Sequence, residues 1–394
     1  MLTMSVSFFD RNTFAFLAPS VTKDLGISES SYGVLTAAFS AAYLLATPLG
    51  GKWIDHIGAR RGLVYSVLVW SSVAALHALA PGFGVLLGLR LALGVAEGPS
   101  FPGSAQTMRR VLPTAERSRG FGVLFSGSSI GAMAAPPVAG FLYVLAGWRV
   151  AMLGTACIGL LWIPLWLALT GRPAVAERLD VAAPVTTDSA PRPTMRELAV
   201  HPIMVRAFIA IFAVAPVGGF LVAWAAKYLV QRYGLAQGQV GRYLWLPPLA
   251  GDAGAILFGD LASRQRRPAG APPRALFVVT AMMCASLGLL PLAGTPWQCV
   301  AVASMAVGGT FATYTLVTAD MLGRMPTSVI STAAGVLAAA QSLALVLASP
   351  IIGRVVDHFG SYDVVAIALG VWVVPGSVVW WLWRPAEHFD KAAG

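Results

Sequence analysis

The amino-acid sequence predicts an all-α integral membrane protein of about twelve transmembrane helices. Three observations carry that prediction. First, the 394-residue chain is 57% hydrophobic and only 11% charged, whereas soluble domains carry about 25% charged residues. A chain this apolar lacks the polar surface to cover itself in water. Second, its apolar residues come in long unbroken runs with short connections, and dividing the length by spans of about 20 residues gives roughly twelve. Third, the net charge of +10 lies in the connections, which are alternately rich and poor in Lys and Arg. That is the positive-inside pattern of membrane helices, and it argues against a nucleic-acid-binding face.

Each run reads as a helix, because in lipid only helices or closed barrels satisfy the backbone, and alternating ten-residue barrel strands are not seen. The first run, 3–22, holds Asp10-Arg11-Asn12 in its middle, a charge that excludes a cleavable signal peptide. The nine residues before Asp10 rise only about 14 Å, half of a hydrocarbon core of about 30 Å, which leaves room for a start further upstream. Runs 32–53 and 62–80 are joined by a tight Gly-rich loop. Run 83–108 holds Arg90, Glu97 and a Gly98-Pro99 pair that can distort a helix. Run 118–145 collects Gly127, Gly131, Pro136, Pro137 and Gly140. Small residues allow close helix approach and prolines bend helices, so this run is either a flexing seam or plain packing. Run 149–170 closes the first half.

Residues 171–200, with Pro173, Pro184, Pro191 and Pro193 among mixed charges, read as a solvated cytoplasmic linker. Runs 203–230, 238–262, 274–293, 296–321, 328–354 and 362–383 make the second half. The expected organisation is a six-helix bundle at 1–170, the linker, and a second six-helix bundle at 201–394. With both termini cytoplasmic, about 19 of the 27 Lys and Arg fall on the cytoplasmic side. Lys23, Arg149, Lys227, Arg232, Arg242 and Arg354 fall on the other side, and Arg11 and Arg90 lie inside the membrane. That bias sets the orientation. Cys157, Cys284 and Cys299 lie in apolar runs at spacings that match neither a metal site nor a redox pair, and read as packing residues.

Charges within spans are costly, so each is a functional candidate. Arg11 is the expected substrate ligand, because a guanidinium is always charged and meets a carboxylate bidentately. The alternative is that it only pairs with a buried acid. Asp10 and Glu97 are the expected proton carriers. Burial favours the neutral form of a carboxyl and a nearby Arg favours the charged form, so an acid whose surroundings change can load and release a proton. Arg90, seven residues before Glu97 and on the same helical face, reads as its structural and coupling partner. Asp252 either lines a cavity or caps a helix break. Lys227 either snorkels to the interface or forms an electropositive entrance. Tyr43, Trp224, Tyr314 and Gln341 carry polar tips suited to substrate hydroxyls, although aromatic core packing is the stronger reading for any single one.

The loop Gly51-Lys-Trp-Ile-Asp55-His-Ile-Gly58-Ala-Arg60-Arg61-Gly62 resembles the signature loop of the major facilitator superfamily. Its glycines make the turn and its bases mark the cytoplasmic face. Further residues narrow the resemblance: Asp10-Arg-Asn-Thr13, Ser40-Ala-Ala-Tyr43, Glu97, Gly127 through Pro137, and Trp245-Leu-Pro247 with Asp252-Ala-Gly254. Together they resemble the anion–cation symporters, and within them the hexuronate-transporter-like group. The resemblance implies the major facilitator fold of two six-helix bundles and proton-driven import of an organic anion such as a hexuronate by alternating access. In it Arg11 contacts the carboxylate, Asp10 and Glu97 couple protons, and Gly51, Asp55, Gly58, Arg60 and Arg61 form a gating loop. The stretch 338–344 lacks the asparagine and glycines that sugar-acid carriers often place there, so the resemblance gives a class of acid and not one acid.

The expected partners are therefore a small organic anion, protons and the lipid bilayer of the inner (plasma) membrane, with no nucleic acid, no cofactor and no metal, in a monomer. Two other functions compete with this one. A drug/proton antiporter is disfavoured because Arg11 repels lipophilic cations and Gly131 precedes Pro136 by five residues where that signature wants four. A non-transporting membrane sensor or a membrane enzyme is disfavoured because no output domain, nucleophile–base set or phosphate loop is present.

Overall fold

The computed structural model describes residues 1–112, 117–180, 195–265, 272–325 and 330–385. Residues 181–194, the middle of the expected linker with Pro184, Pro191 and Pro193, lie outside the described residues. Among the described residues the structure is helical throughout, with no strand. The helices are α1 (Leu2–Asp24), α2 (Glu29–Ile57), α3 (Ala59–Leu76), α4 (Phe83–Glu97), α5 (Ser100–Val111), α6 (Arg117–Thr170), α7 (Pro173–Asp180), α8 (Met195–Val200), α9 (Pro202–Tyr233), α10 (Gln237–Leu244), α11 (Leu246–Arg264), α12 (Arg274–Ala285), α13 (Pro296–Leu322), α14 (Ile330–Phe359) and α15 (Asp363–Leu382). Short 3-10 turns extend α3 over His77–Leu79 and α12 over Ser286–Leu292.

Nine stretches among the described residues are long and apolar enough to cross a membrane. The one at Ser126–Thr170 is 45 residues long, roughly 68 Å of helix at 1.5 Å per residue, twice a hydrocarbon core. It makes two passes, because α6 leaves helical geometry at Ala146 (φ −154°) and Gly147 (φ 80°). Only glycine adopts that last conformation without strain. The more polar α1 and the α10–α11 pair complete the twelve.

Local sequence explains where the other helices start and stop. Ser28 caps α2 by accepting from the Ser31 amide at 3.2 Å. Gly58, at φ 88°, ends α2 and lets α3 begin at the next residue. Thr295 and Gln298 form a reciprocal capping box at α13, with Pro296 in the first turn, where its missing N–H leaves no bond unmade. Pro99 removes the amide that would bond the Val95 carbonyl. The Gly98 amide takes that carbonyl instead at 3.2 Å, so α4 ends at Glu97. Pro247 and Pro248 separate α10 from α11 for the same reason.

Packing divides the chain into two compact units. The first comprises Met1–Thr186, Val222–Trp245 and Ser349–Asp357, and the second comprises Thr187–Leu221, Leu246–Ala348 and His358–Gly394. In the first, α1 lies along α6. A Cβ on Gly127 would strike the Met1 carbonyl and one on Gly131 the Ser5 carbonyl, so these glycines serve close helix approach. Gly94 faces the Phe39 carbonyl and Gly98 faces Ala46, which brings α2 onto α4. Leu63, Val67, Trp70, Leu93 and Trp162 form a core between α3, α4 and α6.

In the second unit Gly254 meets Gly308 to join α11 with α13, and Gly309 meets Thr280 and Cys284 of α12. Phe277 of α12 stacks on Trp380 of α15 with centroids 3.8 Å apart. A buried charge cluster ties α9, α13 and α15 together. Arg206 Nε donates to the Trp380 carbonyl at 2.9 Å and Nη1 lies 3.3 Å from Asp320, while Arg324 pairs with Asp320 at 2.8 Å. The sequence suggests a loop-level ion pair for Asp320 and Arg324. The structure finds it enclosed, because Arg206 reaches it from α9.

Replacing Gly131 by valine should therefore destabilise the protein by about 1–3 kcal/mol through overpacking of α1 against α6. Gly84→Ala, where nothing lies within 4 Å, should leave stability within about 0.5 kcal/mol. Thermal unfolding of the purified protein in detergent checks both, and equal midpoints for the two variants would refute the close-approach role.

Candidate substrate and coupling site

Four intramembrane ions expected from the sequence meet inside the first unit. α1 presents Asp10 and Arg11, and α4 presents Arg90 and Glu97. Arg11 Nε donates to Glu97 Oε2 at 2.6 Å, and Ser7, one turn before Arg11 on α1, donates its hydroxyl to the same oxygen at 2.8 Å. Glu97 is fully enclosed, whereas the Arg11 side chain keeps 19% of its surface exposed. Aromatic rings surround the guanidinium: Tyr43 at 4.3 Å, Phe39 at 5.0 Å and Phe8 at 5.0 Å from ring centroids. Face-on contacts of this kind stabilise a cation where water is scarce. Tyr43 thus reaches the cluster, and Phe39 and Ser7 are members that sequence reading missed. Ser7 was legible in principle, because positions four apart share a helix face.

Asp10 is buried on the same helix. Glu97, Arg90 and Arg11 all act on its carboxyl electrostatically, and the Trp70 indole borders it without a hydrogen bond. Among the described residues, Asp10 Oδ2 and Glu97 Oε1 are the two buried carboxylate oxygens that lack a hydrogen-bond partner, and Arg11 Nη2 also lacks one. Arg90 is buried with its guanidinium 3.7 Å from the Phe14 ring. Its Nε donates to His77 Nε2 at 3.1 Å. Arg90 therefore bonds to His77 and, among the described residues, makes no ion pair within 4.0 Å of an acid.

Trp224 is fully enclosed, edge-on to Tyr32 with centroids 4.8 Å apart. In the second unit Tyr314 is half-buried on α13 and Gln341 is exposed on α14. Asp252 is half-buried well inside α11, not at the break beside Trp245. Lys227 does not snorkel. It is buried in the first unit, bound to both carboxylate oxygens of Glu29 at 2.6 and 2.7 Å, above the Tyr32 ring at 4.9 Å. Glu29 escaped notice because it precedes the apolar run. Asp357 takes the Glu29 and Ser30 amides at 3.0 and 2.8 Å, capping α2 where its unpaired donors favour an anion.

Contacts to neighbouring helices order the signature loop. Asp55 accepts from Gln106 Nε2 at 2.5 Å, and Arg60 Nε donates to Thr170 Oγ1 at 3.2 Å. The Arg60 carbonyl accepts from the Trp166 indole at 3.2 Å. Gly51 passes Pro102, and Gly58 makes the turn. Arg61 is exposed.

An all-helical membrane chain with opposed charges enclosed among apolar helices has counterparts among known proteins. The family model described as Major Facilitator Superfamily matches residues 1–344. The chain is 28% identical to the hexuronate transporter of Escherichia coli (strain K12), over 95% of this chain and 90% of that one. It is 29% identical to the galacturonate transporter of Dickeya chrysanthemi, over 64% of this chain and 76% of that one. A solved bacterial homolog of the human lysosomal transporter Spinster, in an inward-facing and unoccupied conformation, aligns with a TM-score of 0.79 at 17% identity, over 98% of this chain and 97% of that one. That is a likeness of fold. The chain belongs to the Major Facilitator Superfamily and is a multi-pass membrane transporter, not an enzyme.

Proposed function

We propose that this transporter imports a sugar acid of the hexuronate class together with protons, by alternating access. The observation that carries the reading is the bare oxygens of Asp10 and Glu97 beside a guanidinium that is itself only partly bonded. Ionised, the cluster of Asp10, Glu97, Arg11 and Arg90 has no net formal charge. An arriving carboxylate makes it negative by one charge, which a low-dielectric site resists. One proton on Glu97 restores neutrality and releases Arg11 from its partner. Substrate and Glu97 thus compete for one guanidinium, and the proton decides between them. Asp10 is the second carrier, and Arg90 sets the charge balance of both acids. The names borne by the curated relatives support a sugar acid as the anion.

In this reading Tyr43 contacts the substrate directly beside Arg11, and Tyr314 and Gln341 offer a phenol and an amide to hydroxyls. Trp224, sealed against Tyr32, meets substrate only after Tyr32 moves. Gly51, Asp55, Gly58, Arg60 and Arg61 act as a gating loop on the cytoplasmic face, where the distribution of bases puts both termini. The protein works as a monomer in the plasma (inner) membrane, with bundles at 1–170 and 201–394 joined by a cytoplasmic linker.

The deciding experiment is uptake of labelled glucuronate into proteoliposomes with and without an inward proton gradient, competed by aldonates, hexuronates and simple carboxylates. Gradient-driven uptake is expected, with hexuronates as the strongest competitors. Uptake of no anion under either condition overturns the reading.

Arg11→Ala should weaken anion binding about 100-fold, or about 2.7 kcal/mol, because two charge-assisted bonds are lost. Calorimetric titration measures this directly, and unchanged affinity removes Arg11 from the site. Glu97→Gln should lose gradient-driven accumulation but keep counterflow exchange, since the neutral amide resembles the protonated acid. Normal accumulation by that variant would exclude Glu97 as a required carrier.

A further inference from the structure

His77 ends α3 in its 3-10 turn, inside an apolar run, and is completely buried. Its Nδ1 lies 2.8 Å from the Val73 carbonyl, which can only accept, so Nδ1 carries the proton. Its Nε2 receives the Arg90 Nε–H at 3.1 Å, so Nε2 must be bare. Both bonds together require the neutral imidazole in one tautomer. Phe14 of α1 completes the clamp. Its ring lies 3.7 Å from the Arg90 guanidinium and edge-on to His77 with centroids 5.9 Å apart. Arg90 is thus fixed at Nε by one neighbour and across its plane by another. Its remaining N–H groups make no bond to His77, while its charge acts on Asp10 and Glu97.

We propose that His77 is a positioning residue for proton coupling. It engages the Nε of Arg90 without introducing a charge, and so holds the guanidinium at a set distance from Asp10 and Glu97 and away from a direct ion pair. Without this acceptor Arg90 is free to swing onto an acid, pair with it and hold it ionised. That would disable a proton carrier while leaving the Arg11 anion site in place. The inference rests on the reading of Asp10 and Glu97 as proton carriers.

The test compares His77→Leu, His77→Gln and His77→Asn with the parent in proteoliposomes. Gradient-driven accumulation, counterflow exchange and the pH profile of exchange are measured for each. Leucine keeps apolar bulk and removes the acceptor. Glutamine carries an acceptor far enough out to meet Arg90, and asparagine reaches only the Val73 side. The expected result for His77→Leu is a loss of accumulation of about tenfold, with counterflow within about threefold of the parent and a displaced pH profile. Glutamine should restore at least half of the accumulation and asparagine should not. Parental accumulation and pH profile in His77→Leu would overturn the proposal, as would equal behaviour of the glutamine and asparagine variants. If His77→Leu does not fold, the comparison of glutamine with asparagine decides alone. The Glu97→Gln variant separates the two levels of the argument. Normal accumulation there defeats the reading of the coupling site itself, whereas normal accumulation confined to the His77 variants defeats only the positioning role.

Discussion

A guanidinium and a carboxylate held 2.6 Å apart within an apolar helix layer set the terms for the rest of the first unit. Neither charge is tolerable there alone, and removing one partner of such a pair typically costs about 3–5 kcal/mol. The pair bridges α1 and α4 through side chains, while small residues set the closer backbone contacts around it. Gly127 and Gly131 let α1 lie against α6, and Gly94 and Gly98 let α2 approach α4 closely enough for Tyr43 and Phe39 to cover Arg11.

The break after Glu97 adds an electrostatic consequence. α4 ends at this residue because Pro99 cannot continue the ladder, and the C-terminal end of a helix carries partial negative charge. A carboxylate there gains nothing from the helix and depends on Arg11 and Ser7. Taking Arg11 away for a substrate leaves it with one hydroxyl. In the proposed function, this dependence links the occupancy of Arg11 to the charge on Glu97.

Much of this was legible in the sequence. The helical class follows from composition, the signature loop from its motif, and the candidacy of Asp10, Arg11, Arg90 and Glu97 from the cost of charge in lipid. The rest depends on contacts between distant segments. His77 reads as one more residue of an apolar run until Arg90 is seen at its ring nitrogen. Lys227 reads as an interfacial lysine because its partner Glu29 lies 198 positions away in the chain. Arg206, near the start of the run 203–230, gives no sign in the sequence of the Asp320 carboxylate and Trp380 carbonyl that α13 and α15 bring to it. Single-chain patterns give the burial of a charge and seldom its partner.

The acids differ in how completely they are bonded, and that difference separates fixed pairs from exchangeable ones. Asp320 gives one oxygen to Arg324 and the other to Arg206. Asp357 spends both oxygens on the start of α2, and Glu29 spends both on Lys227. Each would lose bonds on both oxygens if it let go, as structural joints should. Glu97 and Asp10 each retain a bare buried oxygen, and an unmet buried acceptor carries a standing free-energy penalty. A proton, or a substrate hydroxyl, removes that penalty. In the function proposed above, these two incompletely bonded acids are the ones whose charge state changes.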